Sequence, residues 1–251
     1  MNKAAIIQTQ LYRQLKSLAL FLVIYGVCLG GFIVLQEYMT LPMNFDDFSY
    51  IFIIFLALST WVLTASSLKL YTYHSFSRQV IISRTTIVQL IISLIASLLI
   101  MAHTWLVQMI PSISKNQLLV KVNNVYFEDL VSNKWIQLIL TGLLIALAIF
   151  CLLQFTTLLL ISTFALKKKT IIISIAMLLI IVLGILFSLP YWSNQMIGYS
   201  IMILGFLLGT GQSLVPSVVI PVIVLILLTT LFFFLSRKYV KKIEMFRHSF
   251  I

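Results

Sequence analysis

Long apolar stretches alternate with short polar connections along this chain of 251 residues. Six of the stretches are long enough to cross a bilayer, because an α-helix needs about 20 apolar residues to span the hydrocarbon core. None of the six contains Asp, Glu, Lys or Arg. The pattern predicts an all-α, polytopic membrane protein with six transmembrane helices, at residues 17–36, 48–68, 85–110, 135–166, 170–190 and 217–235.

The connections between these spans alternate in charge. Fourteen of the 17 basic residues precede the first span or follow the second, fourth and sixth spans. Five of the six acidic residues lie in the other connections. Lys and Arg accumulate in short loops on the cytoplasmic side of a membrane. We therefore expect both termini to be cytoplasmic.

The composition supports a membrane protein. Hydrophobic residues make up 61% of the chain and charged residues 9%, and the mean hydropathy is +1.12, so an ordinary soluble domain is excluded. The net charge of +11 would also suit a nucleic-acid-binding protein. However, the basic residues follow the membrane pattern, which favours orientation and attraction to anionic lipid, and we expect no nucleic-acid partner.

The segment before the first span has apolar residues at helical spacing: Ile7, Leu11, Leu15 and Leu18. This spacing predicts an N-terminal amphipathic helix that lies along the cytoplasmic face. A simple extension of the first span is the alternative. In the connection at residues 69–84, apolar residues 80–82 between Arg78 and Arg84 predict a short helix at the lipid boundary.

Two outer segments complete the predicted topology. Residues 111–134 form an outer loop that is too short for a catalytic domain. Residues 193–213 contain a glycine-interrupted apolar patch that is too short to span. As a seventh span, this patch would place the basic C-terminal residues outside, against the charge rule. We therefore predict an outer re-entrant hairpin between the fifth and sixth spans.

The sequence contains few candidates for chemistry. The spans lack the carboxylates of ion-coupled transporters, and the chain has no paired acids and histidines for a membrane metalloprotease. It also has no GxxxxGK[ST] phosphate loop. We expect no enzyme activity, cofactor or metal in this chain. A single histidine within a span, His103, is more typical of an interfacial or helix-packing residue than of a ligand.

Uncharged polar residues recur at helical spacing in two spans: Thr60, Thr64 and Ser67 in the second, and Gln154 and Thr157 in the fourth. Small hydroxylated residues commonly support helix packing in membranes, which is one interpretation. The other is a weakly polar lining of a translocation path or subunit interface. Phe52 and Phe55 on the second span would suit an amphipathic or hydrophobic cargo better than an ion.

The stretch SFSRQVIISRTT, residues 75–86, is similar to the Ser-Phe-Gly-x-Ser-Arg stretch, ending in Gly-Thr, of membrane subunits of ABC-2 type exporters. Ser77 and Arg78 occupy the Ser-Arg positions and Thr85 the final Thr. The chain departs by lacking the glycine before Ser77 and by having Arg84 where a glycine is frequent. The predicted architecture, from about Leu11 to Arg237, also resembles that of these permeases.

The resemblance implies a single ABC-2 type transmembrane domain over residues 1–251 in a bacterial cytoplasmic membrane. The connection at residues 69–84 would dock on a separate nucleotide-binding ATPase, which binds ATP and Mg, through Ser77, Arg78, Ser83 and Arg84. Topology anchoring alone is the alternative role of the two arginines. A second permease copy or a homologue would complete a path lined by the Thr60, Thr64 and Ser67 face.

The resemblance further implies export of amphipathic or hydrophobic cargo. Peptides are the expected class, as in exporters of phenol-soluble modulins or antimicrobial peptides. A protein of another class remains the alternative: a non-transporting membrane immunity or sensing protein that binds a peptide or scaffolds partners. That alternative requires neither the coupling connection nor the re-entrant hairpin.

Overall fold

The computed structural model describes residues 3–38, 48–73, 76–108, 133–165 and 214–248. These ranges contain α-helices and no strand. The helices are α1 (Lys3–Tyr38), α2 (Phe48–Tyr73), α3 (Arg78–Gln108), α4 (Lys134–Ala165) and α5 (Leu214–His248). All five are long and apolar enough to cross a membrane. The chain is therefore all-helical where it is described, with the helices of a multi-pass membrane protein.

Two predicted elements lie outside the described residues. These are the fifth span at 170–190 and the re-entrant hairpin at 193–213. Most of the outer loop at 111–134 lies outside them as well. The other five predicted spans fall on α1 to α5 in order.

The N-terminal segment differs from its prediction. Helix α1 runs without interruption from Lys3, so the amphipathic segment is an extension of the first span and not a separate helix. No Gly or Pro occurs before Gly26 to break the helical hydrogen bonds. Leu18 is buried and Ile7 packs against the core, whereas Leu15 is exposed and Gln10 and Gln14 are buried.

Helices α2 and α3 form a hairpin with a short turn, here called the α2–α3 hairpin. Near its turn, the Phe76 backbone N–H donates to the Tyr71 carbonyl at 3.1 Å. The Ser77 hydroxyl then accepts from the Val80 N–H at 3.4 Å, in the manner of a helix N-cap. The predicted separate short helix is wrong, since residues 80–82 belong to the first turns of α3.

Side-chain contacts give the relative directions of the first three helices. Helix α1 is antiparallel to α2, with Gln14 near Thr60 and Phe21 against Phe52 further along. Helix α1 is parallel to α3, and the paired residues are Gln10 with Thr85 and Tyr25 with His103. The contacts thus place the start of α1, the end of α2 and the start of α3 at one end of the bundle.

Helix α4 is antiparallel to α3, and α5 is parallel to α4. For α3 and α4 the paired residues are Gln89 with Thr157 and Ser97 with Gly142. For α4 and α5 they are Cys151 with Thr229, Phe155 with Phe232, and Ile161 with Val240. Helices α4 and α5 therefore both end where α1 begins.

We call this the basic end of the bundle, because charged side chains concentrate there. The helix segments at this end include Arg13, Lys16, Lys69, Arg78, Arg84, Arg237, Lys238 and Lys241.

The bundle interior is a continuous apolar core contributed by α1 to α4. Its buried members are Leu18, Phe52, Leu56, Val88, Ile92, Ala96, Ile100, Ile145, Ile149 and Leu153. The outer surface is equally apolar, since Leu20, Leu58, Leu98 and Leu227 are each more than 60% exposed. Such a surface is suited to lipid, where close packing and interhelical hydrogen bonds hold helices together.

Candidate functional site

A small polar notch lies between α1, α2 and α3 at the basic end. It encloses a cavity of about 10 Å³, which is space for about one water molecule. Its lining residues are Gln10, Arg13, Gln14, Leu63, Thr64, Ser67, Thr85 and Val88. We call this set the basic-end notch.

Two amides from successive turns of α1 build one wall of the notch. The Gln10 amide Nε2 donates to the Thr85 hydroxyl at 3.1 Å. The Thr85 hydroxyl in turn donates to the Ile81 carbonyl at 3.0 Å. The Gln14 Nε2 donates to the Thr60 hydroxyl at 3.2 Å. The Gln14 Oε1 is buried and has no hydrogen-bond partner among the described residues. The notch therefore has one unused acceptor.

The predicted path residues of α2 lie on the face that packs against α1. Thr60, Thr64 and Ser67 are each no more than 2% exposed. Phe52 is also fully buried, and Phe55 stacks on Phe21 of α1 with ring centroids 4.3 Å apart. The structure thus brings all five predicted residues to one side of α2, inside the subunit. Their role in a translocation path stays a prediction.

The predicted coupling residues lie at the start of α3. Ser77 is exposed and caps the helix, whereas Arg78, Ser83 and Arg84 are half-buried. The Ser83 hydroxyl donates to the Gln79 carbonyl at 2.9 Å, so it is bonded within its own helix. All four residues therefore lie at or next to the tip of the α2–α3 hairpin.

A second polar group, the α3–α4 amide cluster, consists of Gln89, Gln154 and Thr157. The Gln154 Nε2 donates to the Gln89 Oε1 at 2.9 Å, and the Gln89 Nε2 donates to the Thr157 hydroxyl at 2.7 Å. All three side chains are no more than 2% exposed. The cluster therefore joins α3 to α4 by direct hydrogen bonds within the bundle interior.

Sequence reasoning missed the polar row of α3 to which Gln89 belongs. Thr85, Gln89, Ser93 and Ser97 are spaced by four and are each no more than 4% exposed. That regular spacing of polar residues in an apolar helix is the signal that could have revealed the row. Gln10 and Gln14 were also missed, because their spacing fits the polar side of a surface helix equally well.

The polar row ends at a close contact between α3 and α4. The Ser97 hydroxyl donates to the Gly142 carbonyl. A Cβ atom added at Gly142 would lie 2.5 Å from the Met101 Sδ. A side chain at position 142 would require Met101 to move, so glycine suits this contact, as small residues commonly do between membrane helices.

His103 contacts α1 at the end opposite the basic end. Its Nε2 is 2.9 Å from the Tyr25 hydroxyl, and the two rings meet edge to face with centroids 5.7 Å apart. This contact agrees with the predicted packing role of His103. Within the described ranges, no group of three or more His, Cys, Asp or Glu residues could hold a metal ion.

Comparison with known proteins finds no matching family model, no matching curated protein and no matching solved structure. A functional assignment must therefore rest on the sequence pattern and on the geometry of the bundle.

Proposed function

We propose that this chain is the membrane subunit of an exporter driven by a separate ATPase, with the α2–α3 hairpin as the element that the ATPase moves. The supporting observation is the packing of the hairpin near its tip. Two clusters there involve all five described helices: Ile6, Tyr71 and Ile81 in one, and Ile82, Ile161 and Val240 in the other. Close-packed residues transmit displacement, so movement of the tip would reach the whole bundle by hinge or shear motion.

The proposed topology has six crossings with both termini in the cytoplasm. The parallel packing of α4 and α5 supports an even number of crossings. A chain that leaves α4 at the basic end must return across the membrane before α5 starts at the opposite end, and the predicted span at 170–190 would provide this crossing. The basic end is the cytoplasmic end by the charge rule.

Cysteine accessibility tests this topology. Asn133 is exposed at the end opposite the basic end, and Lys241 is exposed at the basic end. In intact cells, a membrane-impermeant maleimide should label Asn133→Cys directly and Lys241→Cys only after permeabilisation. The background should lack Cys28 and Cys151. Equal labelling of both variants in intact cells would rule out the proposed orientation.

Coupling to the ATPase is tested by charge reversal at the hairpin tip. We would co-express the chain with an ATPase encoded in the neighbouring reading frame and replace Arg78 and Arg84 together by Glu. We expect recovery of the complex and membrane-stimulated ATP hydrolysis to fall, because the docking surface of the hairpin changes sign. Membrane insertion should persist, since most of the basic residues remain.

The matched control reverses two charges at the same end on another helix. Lys238→Glu with Lys241→Glu on α5 changes the net charge equally at two exposed positions outside the hairpin. It should leave ATPase recovery unchanged. Equal effects of the two double variants would remove Arg78 and Arg84 from the coupling role. If the wild-type chain recovers no ATPase at all, a non-transporting immunity or sensing protein becomes the better proposal.

The proposed path would be completed by a second permease copy or a homologue and would take amphipathic cargo, most simply a peptide. In a single subunit, α1 covers the Thr60, Thr64 and Ser67 face. A path along this face therefore requires α1 to separate from α2 during transport. Phe21 and Phe55 stack directly across this contact, which makes them a suitable pair for holding the two helices together.

A cross-linking experiment tests that requirement. In a background without Cys28 and Cys151, Phe21→Cys and Phe55→Cys would be joined by a short thiol-reactive cross-linker. Export of peptide from cells or vesicles should stop on cross-linking and should continue in the same variant before the reagent is added. Unchanged export by the cross-linked protein would show that the path lies elsewhere in the bundle.

A further inference from the structure

We propose that the basic-end notch binds the glycerol phosphate headgroup of an anionic phospholipid. The proposal concerns lipid recognition at the bundle surface and does not depend on the transport function. It rests on the depth of the notch, on the half-buried Arg13 in its lining and on the buried, unbonded Gln14 Oε1.

The notch lies at the depth of the lipid headgroups. Each of the three helices has a basic residue one or two positions from a residue that lines the notch. Lys16 follows Gln14 on α1, Lys69 follows Ser67 on α2, and Arg84 precedes Thr85 on α3. Charged side chains avoid the hydrocarbon and mark the interfacial region. Arg13 in its lining is only half-buried, so a lipid headgroup beside the bundle can reach this side chain.

Arg13 makes the notch suitable for a phosphate group. Its guanidinium can donate two parallel hydrogen bonds to phosphate oxygens, and Thr64 and Ser67 supply hydroxyl donors in the same lining. None of the lining residues is acidic, so no carboxylate in the notch competes for Arg13. This combination favours an anionic headgroup over a zwitterionic one, whose ammonium group would meet the same positive charge.

Gln14 indicates what the headgroup must contain besides phosphate. Its buried Oε1 accepts no hydrogen bond from the described residues, and an unbonded buried acceptor is costly. A phosphate oxygen cannot donate to it, but a hydroxyl group can. The cavity of about 10 Å³ fits one hydroxyl oxygen in place of a water molecule. A glycerol phosphate headgroup has both the anion and the hydroxyl.

The phosphate contact is tested by lipid titration of the full-length chain. The protein would be purified in a neutral detergent and titrated with phosphatidylglycerol, and bound lipid would be counted by native mass spectrometry. Arg13→Gln should weaken phosphatidylglycerol binding about tenfold, because it removes a charge-assisted hydrogen bond. Lys16→Gln is the control, since Lys16 is an exposed cation on the same helix outside the notch. It should change binding less than about twofold.

The hydroxyl contact is tested with a second lipid. Phosphatidylmethanol has the same charge as phosphatidylglycerol but no hydroxyl, so the wild-type chain should prefer phosphatidylglycerol about fivefold, as expected for one neutral hydrogen bond. Gln14→Met keeps the side-chain length and should abolish the preference. Thr60→Val also breaks the Gln14 to Thr60 hydrogen bond but leaves the Gln14 amide in place, so it should retain the preference.

Three outcomes would overturn the proposal. Equal binding of the two lipids by the wild-type chain would mean that water fills the cavity. Equal weakening by Arg13→Gln and Lys16→Gln would mean general attraction between basic residues and anionic lipid. Displacement of phosphatidylglycerol by soluble glycerol phosphate at equal concentration would assign the site to the free phosphate ester and not to lipid.

Discussion

The basic-end notch and the α3–α4 amide cluster lie one helical turn apart along the polar row of α3, yet they differ in one respect. In the amide cluster, Gln89 bonds to both Gln154 and Thr157 across the helix interface. Each site has a buried amide oxygen without a described partner, Gln154 Oε1 in the cluster and Gln14 Oε1 in the notch, but of the two only Gln14 lines the notch cavity together with an arginine. Both sites contain amides and hydroxyls, and what distinguishes the notch is its arginine and its cavity.

The comparison indicates that polar residues in a membrane bundle have two uses. Lipid tails offer no hydrogen-bond partners, so polar side chains must bond to each other or to something that enters from outside. The closed amide cluster is suited to holding α3 against α4. The notch, which has a cavity and an arginine beside its unbonded acceptor, is suited to binding. The following predictions test two requirements of this comparison. The interface between α3 and α4 must be tightly packed, and the surroundings of α1 must be more open.

The largest effect is expected at the close contact between α3 and α4. Gly142→Val should lower the free energy of unfolding by about 2.5 kcal/mol, within the range for overpacking, because its Cβ would lie 2.5 Å from the Met101 Sδ, which must move, and 3.5 Å from the Ser97 Oγ. Gly26→Val on α1 is the matched control, since a Cβ there meets nothing within 4 Å. Unfolding in mixed detergent micelles would measure both variants. Similar losses would show that α1 is packed as closely as α4.

A smaller effect is expected within the amide cluster. Gln89→Leu should lower the free energy of unfolding by about 2 kcal/mol, because it leaves the Gln154 amide and the Thr157 hydroxyl without this partner. Adding Gln154→Leu should restore part of the loss, since removing both amides leaves fewer buried polar groups unbonded. The same unfolding assay would compare the variants. A purely additive double variant would be inconsistent with direct coupling of the two amides.

The smallest effect is expected in the notch. Thr85→Val removes the acceptor of the Gln10 amide and should cost about 0.6 kcal/mol, the average for interhelical hydrogen bonds in membranes. Water or a lipid headgroup can replace the lost partner at this open site, which is not possible at the closed cluster. If Thr85→Val destabilises the protein as much as Gln89→Leu, the notch is closed and the comparison fails.

Hydropathy predicted the helices well, because the thickness of a bilayer fixes how long an apolar segment must be. The four residues Thr60, Thr64, Gln154 and Thr157 were also found from helical spacing and are buried in the bundle. Spacing alone did not show their partners. Thr60 bonds to Gln14, which is 46 positions away in the sequence, and Gln154 bonds to Gln89, which is 65 positions away.

The first turns of α1 show where sequence reasoning failed. The apolar row at Ile7, Leu11, Leu15 and Leu18 was expected to mark one side of a surface helix. Leu15 is exposed, however, and Gln10 and Gln14 are buried in the bundle together with Leu18. In water, burying two glutamines in place of leucine would be costly. Beside lipid an exposed leucine is tolerated, and glutamines gain partners on α2 and α3. The amphipathic pattern therefore did not reveal that Gln10 and Gln14 would be buried.

The sequence by itself determined the membrane helices and the concentration of positive charge at one end of each, because apolar length and the distribution of Lys and Arg are properties of the chain. Only the tertiary structure decided that α4 and α5 are parallel, which polar side chains bond to each other and which of them line a cavity. These features depend on contacts between residues far apart in the chain. The sequence of each helix would allow several faces to be buried, and helix–helix packing selects one of them.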